Sequence, residues 1–336
     1  MSNSENNKSD EKFHPYEALT PDVVLQAIES CGYIVNGQQL ALNSYENRVY
    51  QVGIEEAQPL IVKFYRPERW TNEAIAEEHI FTYELVEREL PVVPPLKDDQ
   101  GQTLHEYAGF RFALFERQGG HWPDLDSAED LEWMGRFMAQ IHATGELEPF
   151  QSRPGISIKT YGEDSIDYIL ANDFIPEDLK IPYSSLAQDL LVQIRRCYER
   201  AGDVASLRIH GDCHPGNILW TDDGPHFVDF DDTRTGPAIQ DLWMLLSGER
   251  QEMAIQLSDI IEGYEMFREF DRRELHLIEP LRTLRMFNYS AWLARRWSDP
   301  AFPHNFPWFN TNRYWEEQIL ALREQASRLD EPVLMI

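Results

Sequence analysis

Four polar side chains capable of chemistry lie within eight residues, in the stretch His210-Gly-Asp-Cys-His-Pro-Gly-Asn217. Apolar segments flank this stretch, which predicts a loop between two strands. Such loops often carry catalytic groups, because the rigid scaffold aims their side chains at a ligand. A carboxylate at Asp212 can accept the proton of an attacking hydroxyl, and an amide at Asn217 can bind a magnesium ion. The spacing therefore predicts a catalytic loop for phosphoryl transfer.

A second carboxylate is required nearby, because one Asn cannot hold a metal that bridges the phosphates of ATP. Residues 218–228 predict two short strands joined by a Gly-containing turn, and this hairpin returns Asp229 to the side of Asn217. We therefore expect Asn217 and Asp229 to bind Mg²⁺ together with ATP. Asp212 and Asp229 are the predicted catalytic carboxylates.

The pattern H-G-D-x-H-x-G-N at 210–217, followed by V-D-F-D at 228–231, resembles the aminoglycoside and choline phosphotransferase branch of the protein-kinase-like fold. Within that branch, three more segments resemble bacterial stress-response serine/threonine kinases: Leu42–Tyr50, Val62–Trp70 and Asp299–Pro303. The similarity runs from about residue 16 to about residue 325. It implies an α+β, bilobal protein-kinase-like fold with a small β-rich N-lobe and a larger helical C-lobe.

The resemblance also implies a domain organisation. We expect an N-lobe over residues 16–118, with the nucleotide-binding sheet and helix, and a C-lobe over residues 119–328. A length of 336 residues is sufficient for two lobes. Residues 1–15 are expected to be a disordered tail, because the chain begins with Ser, Asn, Asp, Glu and Lys and almost no apolar residue.

Lys63 lies in the otherwise apolar strand Leu60–Tyr65, where an unpaired ammonium would be costly. In kinases this lysine contacts the ATP phosphates and pairs with a glutamate on the next helix. Composition places that helix at Asn72–Glu87. Glu77 is the predicted partner, because apolar residues four and eight positions later continue its face, but the adjacent Glu78 stays open as an alternative.

Two segments around this strand predict further nucleotide contacts. Ile61 shares the strand face of Lys63 and would form part of an apolar ceiling for adenine. The turn at 43–48 occupies the position of a Gly-rich phosphate loop but contains no glycine. The resemblance therefore implies phosphate contacts from backbone N–H groups together with the side chain of Ser44 or Asn47. An ordinary polar turn is an equally good interpretation.

A hinge between the lobes is expected after the strand Phe110–Phe115. Gly119 and Gly120 end this strand, and backbone groups near Glu116 and Gln118 would read the edge of adenine, as the resemblance implies. A plain interlobe loop would contain the same glycines.

The remaining polar residues near the loop receive more modest interpretations. His210 and His214 are expected to make structural hydrogen bonds, because no Cys or His at ligand spacing completes a zinc site. Cys213 is predicted to be a small buried filler. Asp241 is expected to accept hydrogen bonds from the catalytic loop or to cap its helix. Asp231 is a possible second carboxylate at the metal.

Helical patterns dominate the second half of the chain. Ser127 and an acidic residue three positions later predict the start of a helix over 128–144. Residues 150–185 have weak periodicity and are interpreted as a variable cap that helps choose the substrate, followed by a helix over 184–198. A further helix over 274–297 contains Pro280, which predicts an internal kink.

Composition excludes several classes of partner. Lys and Arg total 30 against 58 Asp and Glu, and a net charge of -28 would repel a nucleic acid. No apolar run approaches the ~20 residues that span a bilayer. Three cysteines at no metal-ligand spacing indicate a reducing compartment. We therefore expect a cytoplasmic protein that acts as a monomer, without nucleic acid or membrane.

Two acceptors remain open for a kinase that uses ATP and Mg²⁺. The resemblance implies a Ser/Thr protein kinase of the stress response that also phosphorylates itself. The alternative is a small-molecule hydroxyl kinase acting on an aminoglycoside, choline or homoserine-like alcohol. A catalytically silent nucleotide-binding regulator is disfavoured, because the charged and polar residues needed for transfer are intact. Only eight residues separate Asp232 from Asp241, so no long activation segment is available to hold a peptide.

Overall fold

A computed structural model describes residues 14–336. It divides into a lobe built on a five-stranded antiparallel sheet and a larger lobe that is mostly helical. The expected two-lobe α+β architecture is confirmed. The expected disordered tail lies outside the described residues, apart from His14 and Pro15. The boundary between the lobes at residues 118 and 119 stays a prediction.

The sheet places Lys63 at the centre of the first lobe. In chain order this lobe contains α1 (Pro21–Glu29), β1 (Val35–Ala41), β2 (Arg48–Ile54), β3 (Leu60–Phe64), α2 (Asn72–Val86), β4 (His105–Tyr107) and β5 (Phe110–Glu116). The strand order is β1-β2-β3-β5-β4, so β3 has a hydrogen-bonded neighbour on each side. Lys63 lies opposite Val49 on β2 and Ala113 on β5. Its side chain therefore leaves one face of a fully paired strand.

The second lobe surrounds the catalytic segment with helices. It contains α3 (Ala128–Gly145), α4 (Asp164–Ala171), α5 (Glu177–Ala201), β6 (Leu207–Ile209), β7 (Ile218–Thr221), β8 (Gly224–Phe227), β9 (Arg234–Gly236), α6 (Ile239–Trp243), α7 (Arg250–Tyr264), α8 (Ile278–Arg295), α9 (Ala301–Asn305) and α10 (Asn312–Leu329). Strands β7 and β8 form the expected hairpin, and β6 pairs with β9. Among the described residues, no helix is long and apolar enough to cross a membrane.

Helix α3 packs against the catalytic loop. Ser127 accepts a hydrogen bond from the backbone N–H of Asp130 at 3.2 Å, which confirms the predicted helix start. Met138 on α3 contacts Cys213, with the two sulfur atoms 3.7 Å apart, and Cys213 is fully buried. At Gly135 a Cβ would lie 1.9 Å from the carbonyl oxygen of Ile260, so glycine allows α3 to pack directly against α7.

One prediction about the helices is incomplete, and a second is wrong. The helix expected over 184–198 is longer, because α5 begins at Glu177 and accommodates Pro182 in its interior. Pro280 causes no internal kink, since it is the third residue of α8. In the first turn of a helix the missing N–H would have had no helical acceptor, so proline is tolerated there.

Glu274 connects the start of α6 to the segment before α8. Its Oε2 accepts a hydrogen bond from the backbone N–H of Ile239 at 2.8 Å, whereas its Oε1 has no donor among the described residues. The residue is 1 % exposed. This burial raises the pKa of the Glu274 carboxyl to about 7.

Glu274→Gln is expected to remove a pH dependence of stability. The folded-state pKa of about 7 exceeds the ordinary value of 4.5, so the folded protein loses stability as pH rises from about 5 to about 8. A glutamine retains the acceptor for Ile239 and cannot ionise. Urea unfolding at pH 8 should show the variant more stable than wild type by about 2 kcal/mol, with a much smaller difference at pH 5. Equal pH slopes for the two proteins would contradict this interpretation.

Candidate active site

A cleft of about 1120 Å³ lies between the two lobes. Nine residues were predicted from the sequence to form the site, and eight of them line this cleft. These are Ser44, Ile61, Lys63, Glu116, Gln118, Asp212, Asn217 and Asp229. Glu77 is not among the residues that line the cleft. The structure thus brings together residues from both lobes, whose individual roles stay predictions.

Hydrogen bonds to the buried carboxylate of Asp241 hold the catalytic loop in place. The backbone N–H groups of His210 and Gly211 each donate a hydrogen bond of 2.8 Å to its carboxylate. His142 on α3 lies 3.0 Å from the same carboxylate. Gly211 has a φ of +85°, and a Cβ there would lie 2.3 Å from the carbonyl oxygen of Asp232. The expectation that Asp241 accepts hydrogen bonds from the loop backbone is confirmed.

The two histidines of the loop make structural hydrogen bonds, as expected. His210 is fully buried, and its Nε2 lies 2.9 Å from the carbonyl oxygen of Val228. The Nδ1 of His214 accepts a hydrogen bond of 3.0 Å from the backbone N–H of Gly216. Neither ring is part of a group of three His, Cys, Asp or Glu side chains suited to a metal within residues 14–336.

Asn217 and Asp229 provide oxygen atoms that fit a hard divalent cation. The Nδ2 of Asn217 donates to the carbonyl oxygen of Asp212 at 2.9 Å, and its Oδ1 has no donor among the described residues. The side chain of Asp229 is 52 % exposed and its backbone is left-handed, with φ 59° and ψ 64°. Such a conformation is costly for a residue other than glycine and is concentrated at functional sites. Magnesium commonly binds one or two such oxygens together with phosphates and water, so this pair fits it.

The expected pairing of Lys63 with Glu77 is wrong, and Glu78 is the partner. The Nζ of Lys63 lies 3.0 Å from Oε1 of Glu78, and both side chains are buried. Glu77 instead accepts hydrogen bonds from the backbone N–H groups of residues 151–153. Adjacent positions on a helix point about 100° apart, so only one of the two glutamates can face the sheet. Glu78 raises the pKa of the Lys63 ammonium well above its usual value, although burial alone would lower it.

Arginine residues offset the charge of the carboxylates that follow Asp229. Arg69 contacts both Asp231 and Asp232, the latter at 2.7 Å, and Arg234 also contacts Asp232. Burial alone would raise the pKa of the Asp231 carboxyl, but Arg69 and Lys63 hold it below its ordinary value. Carboxylates this close together require compensating positive charge. The protein's own guanidinium groups provide much of it.

Three arginines contact the acidic groups of the cleft and were not predicted as site residues. The sequence carried a weak signal for two of them, Arg69 and Arg234, and none for Arg153. Arg69 lies in the segment Val62–Trp70 that contributed to the family resemblance, and Arg234 follows the acidic cluster directly. Arg153 lies in the region interpreted as a variable cap, yet its guanidinium donates to Glu78 at 2.9 Å and to two backbone carbonyls at 2.8 Å. No spacing rule links residues 75 positions apart.

The turn that replaces a Gly-rich loop is held by its own side chains. Asn47 is 3 % exposed, and its Oδ1 accepts a hydrogen bond from the backbone N–H of Arg66 at 3.0 Å. Asn47 lines the cleft, and its Nδ2, the donor that a phosphate contact would use, has no acceptor among the described residues, so that contact stays a prediction. Ser44 donates to the carbonyl oxygen of Asn47 at 3.1 Å and still lines the cleft.

The tip of this turn contacts the helical lobe. Glu46 accepts a hydrogen bond from the indole N–H of Trp292 and contacts the guanidinium of Arg296. Next to it, the buried carboxylate of Asp299 lies 2.9 Å from Nη2 of Arg66. The three segments that extended the family resemblance therefore meet at one ionic junction between the lobes.

Apolar side chains also line the cleft. Ile61 and Val49 come from the sheet, Leu219 comes from β7, and Val228 directly follows β8. Glu116, which pairs with Leu60 next to Ile61, and Gln118 line the cleft as well. A flat aromatic base between two apolar layers, with polar backbone at its edge, is the arrangement that these residues suit.

Three comparisons with known proteins agree with this geometry. A family model described as "APH: Phosphotransferase enzyme family" matches residues 38–278. The chain is 45% identical over 321 residues to the serine/threonine protein kinase RdoA of Salmonella typhimurium strain LT2, which covers 96% of this chain and 97% of that protein. It is 46% identical over the same length to stress response kinase A of Escherichia coli O157:H7, with the same coverage.

Solved structures of lower identity share the fold. A microcompartment-associated aminopropanol kinase superposes with a TM-score of 0.70 at 18% identity, covering 93% of this chain and 97% of that one. The amicoumacin kinase hAmiN, in complex with AMP-PNP, Ca²⁺ and Ami, superposes with a TM-score of 0.69 at 17% identity, covering 91% and 93%. The two-lobe fold inferred from the sequence is thus that of known phosphotransferases.

Glu78→Gln should weaken nucleotide binding, and Glu77→Gln is the matched control. The first variant leaves Lys63 without its closest carboxylate and Arg153 without an ionic partner, so the ammonium loses its position. Calorimetry should show an ATP affinity reduced by about tenfold or more in Glu78→Gln. Glu77→Gln retains an acceptor oxygen for the N–H groups of 151–153 and should bind ATP within about twofold of wild type. Equal losses in the two variants would contradict the pairing.

Asp299→Asn should destabilise the junction between the lobes. The change leaves the guanidinium of Arg66 with only the more distant carboxylate of Glu46, at 3.7 Å, and loss of one partner of a buried ion pair costs about 3 kcal/mol in comparable cases. Urea unfolding measures this loss. Asp173→Asn is the control, because Asp173 pairs with Lys180 through a side chain that is 86 % exposed, and such pairs contribute about 0–1 kcal/mol. A loss for Asp299→Asn no larger than that of the control would refute the role of the junction.

Proposed function

Because this chain belongs to the phosphotransferase enzyme family, we propose that it is a Ser/Thr protein kinase that uses ATP and Mg²⁺ and acts in the stress response. One observation carries the proposal. The carboxylate of Asp212, the oxygens of Asn217 and Asp229 and the ammonium of Lys63 line a single cleft, in a chain whose relatives at 45% identity include a serine/threonine protein kinase.

Each group in the cleft has a distinct task in phosphoryl transfer. Lys63, oriented by Glu78, binds the phosphates of ATP. Asn217 and Asp229 would hold Mg²⁺, which offsets the charge that develops on the transferred phosphoryl group. Asp212 orients the acceptor hydroxyl and accepts its proton as the oxygen attacks the γ-phosphate.

The electrostatics of the site suit a polyanionic nucleotide. Lys63 remains an ammonium because Glu78 and Asp231 surround it, so its positive charge is available at neutral pH. Its Nζ also lies 3.3 Å from Asp229. The phosphates and the cation would therefore bind at neighbouring positions, as a cation that bridges phosphate oxygens requires.

The relatives support a protein acceptor. Two proteins at 45% and 46% identity, aligned over 96% of this chain, are named as kinases of Ser/Thr residues or of the stress response. The similarity covers both lobes and is not limited to the catalytic loop. The proposed kinase is a cytoplasmic monomer that also phosphorylates itself.

A small-molecule hydroxyl kinase is the second candidate. Only a short 3₁₀ turn, β9 and the start of α6 separate Asp229 from Asp241, so no long segment extends beside the cleft to hold a peptide. Kinases of small alcohols share this fold, as the similarity to an aminopropanol kinase indicates. A protein acceptor would have to bind against the region 150–185 and the carboxy-terminal helices.

Asp212→Asn should retain ATP binding and lose phosphate transfer by a factor of about 10² to 10⁴, because the nearly isosteric substitution removes the proton acceptor. Purified protein is incubated with Mg²⁺, ATP and a peptide panel, and mass spectrometry identifies the phosphorylated residues. Asp223→Asn, at the exposed turn of the hairpin β7–β8, is the control with unchanged activity. Phosphate on an added alcohol, with none on Ser or Thr, would assign the protein to the second candidate.

A further inference from the structure

Helix α8 is basic in a protein that is strongly acidic. Between Pro280 and Ser298 the sequence contains four arginines and no Asp or Glu, whereas the whole chain contains 58 acidic and 30 basic residues. One side of this helix forms a wall of the cleft through Arg285, Asn288, Tyr289, Trp292 and Arg295. Arg285 on this wall contacts Asp212, so an acceptor that binds beside Asp212 also lies beside the wall.

Two of the four arginines already have a structural task. Arg282 pairs with Glu279 at 3.2 Å and packs on the ring of Trp243, outside the cleft. Arg296 contacts Glu46 at the tip of the nucleotide turn. These two guanidinium groups are therefore not available to an acceptor.

Arg285 and Arg295 differ in this respect. The only carboxylate within 4.0 Å of Arg285, among residues 14–336, is that of Asp212, with Nη2 and Oδ1 2.7 Å apart. Arg295 has no carboxylate within that distance in the same part of the chain. Its guanidinium donates to the carbonyl oxygen of Asp164 at 3.2 Å and lies 4.9 Å from the ring centre of Tyr168.

The contact between Arg285 and Asp212 lies where the acceptor hydroxyl must bind. Both side chains are partly exposed, at 38% and 25%, and ion pairs of this exposure are weak. An anionic group beside the acceptor hydroxyl could therefore take over the guanidinium, while the hydroxyl takes over the carboxylate. A cationic group at the same place would meet the positive charge of Arg285 without compensation.

The distance along α8 sets the length of acceptor that the wall can contact. Arg285 and Arg295 are ten residues apart, which corresponds to about 15 Å of helix, or about four to five residues of extended peptide. Tyr289 and Trp292 lie between them with their rings stacked, the centroids 5.6 Å apart. Such a surface suits the backbone and apolar side chains of a peptide.

We propose that this kinase prefers Ser/Thr sites in acidic peptide segments, with Arg285 and Arg295 as the residues that determine this specificity. The inference rests on the proposed function, since it concerns the acceptor of that same site. An acidic residue next to the phosphorylated hydroxyl contacts Arg285, and a second one about four positions away contacts Arg295.

The test measures kcat/KM with Mg²⁺ and ATP for three matched peptides that contain one Ser flanked by Glu, Gln or Lys. Wild type should favour the Glu peptide over the Lys peptide by about tenfold or more. Arg285→Gln should reduce this ratio by about threefold or more, and Arg295→Glu should shift it towards the Lys peptide. Because the readout is a ratio within one variant, a general loss of activity does not affect it.

Arg313→Glu is the control, because it changes the net charge by the same amount as Arg295→Glu but lies on α10, where the side chain of Arg313 is 85% exposed. It should retain the wild-type ratio. If wild type phosphorylates Ser but favours the Lys peptide, or if Arg285→Gln and Arg295→Glu retain the wild-type ratio, the inference fails and the proposed function stands. If no peptide is phosphorylated while an amino alcohol or glycerate is, both fail.

Discussion

The buried ammonium of Lys63 is the constraint on which the rest of the site depends. A positive charge in a paired central strand requires a carboxylate of equal burial, and Glu78 on α2 provides it at 3.0 Å. Glu78 in turn requires a second donor, which Arg153 supplies from the other lobe. Arg153 also donates to the carbonyl oxygens of Asp231 and Thr233. Loss of any member of this ion-pair network leaves a buried charge without a partner. The network therefore holds the sheet, α2 and the acidic segment after Asp229 in one arrangement.

A second layer of ionic contacts determines how the lobes meet. In kinases the loop over the phosphates is rich in glycine, and its backbone adapts to the nucleotide. Here the corresponding turn has no glycine and is held by Asn47 from within and by Glu46 from outside. Rigid attachment of this turn to Trp292 and Arg296 connects the nucleotide side of the cleft to the helix α8 that lines its acceptor side. The nucleotide turn and the proposed acceptor site therefore both contact helix α8.

The catalytic loop shows the same division between a rigid support and an accessible group. Asp241, fully buried, binds two backbone N–H groups of the loop and one ring of α3. The carboxylate of Asp212 is partly exposed, and its ion pair with Arg285 is weak. The proposed function requires this difference, because a supporting carboxylate must not move and a proton acceptor must exchange its partners.

The sequence, through its resemblance to a known family and its local patterns, predicted the two-lobe fold and eight of the residues that line the cleft. Local patterns contribute to this, because spacing within a loop, alternation along a strand and the capping of a helix involve residues near one another in the chain. Only the tertiary structure decided between Glu77 and Glu78, since both positions continue an apolar face and the choice depends on the rotation of α2 against the sheet. It also revealed Arg153 and Arg285, whose partners lie 75 and 73 positions away. Contacts at such distances depend on packing, which no local spacing records.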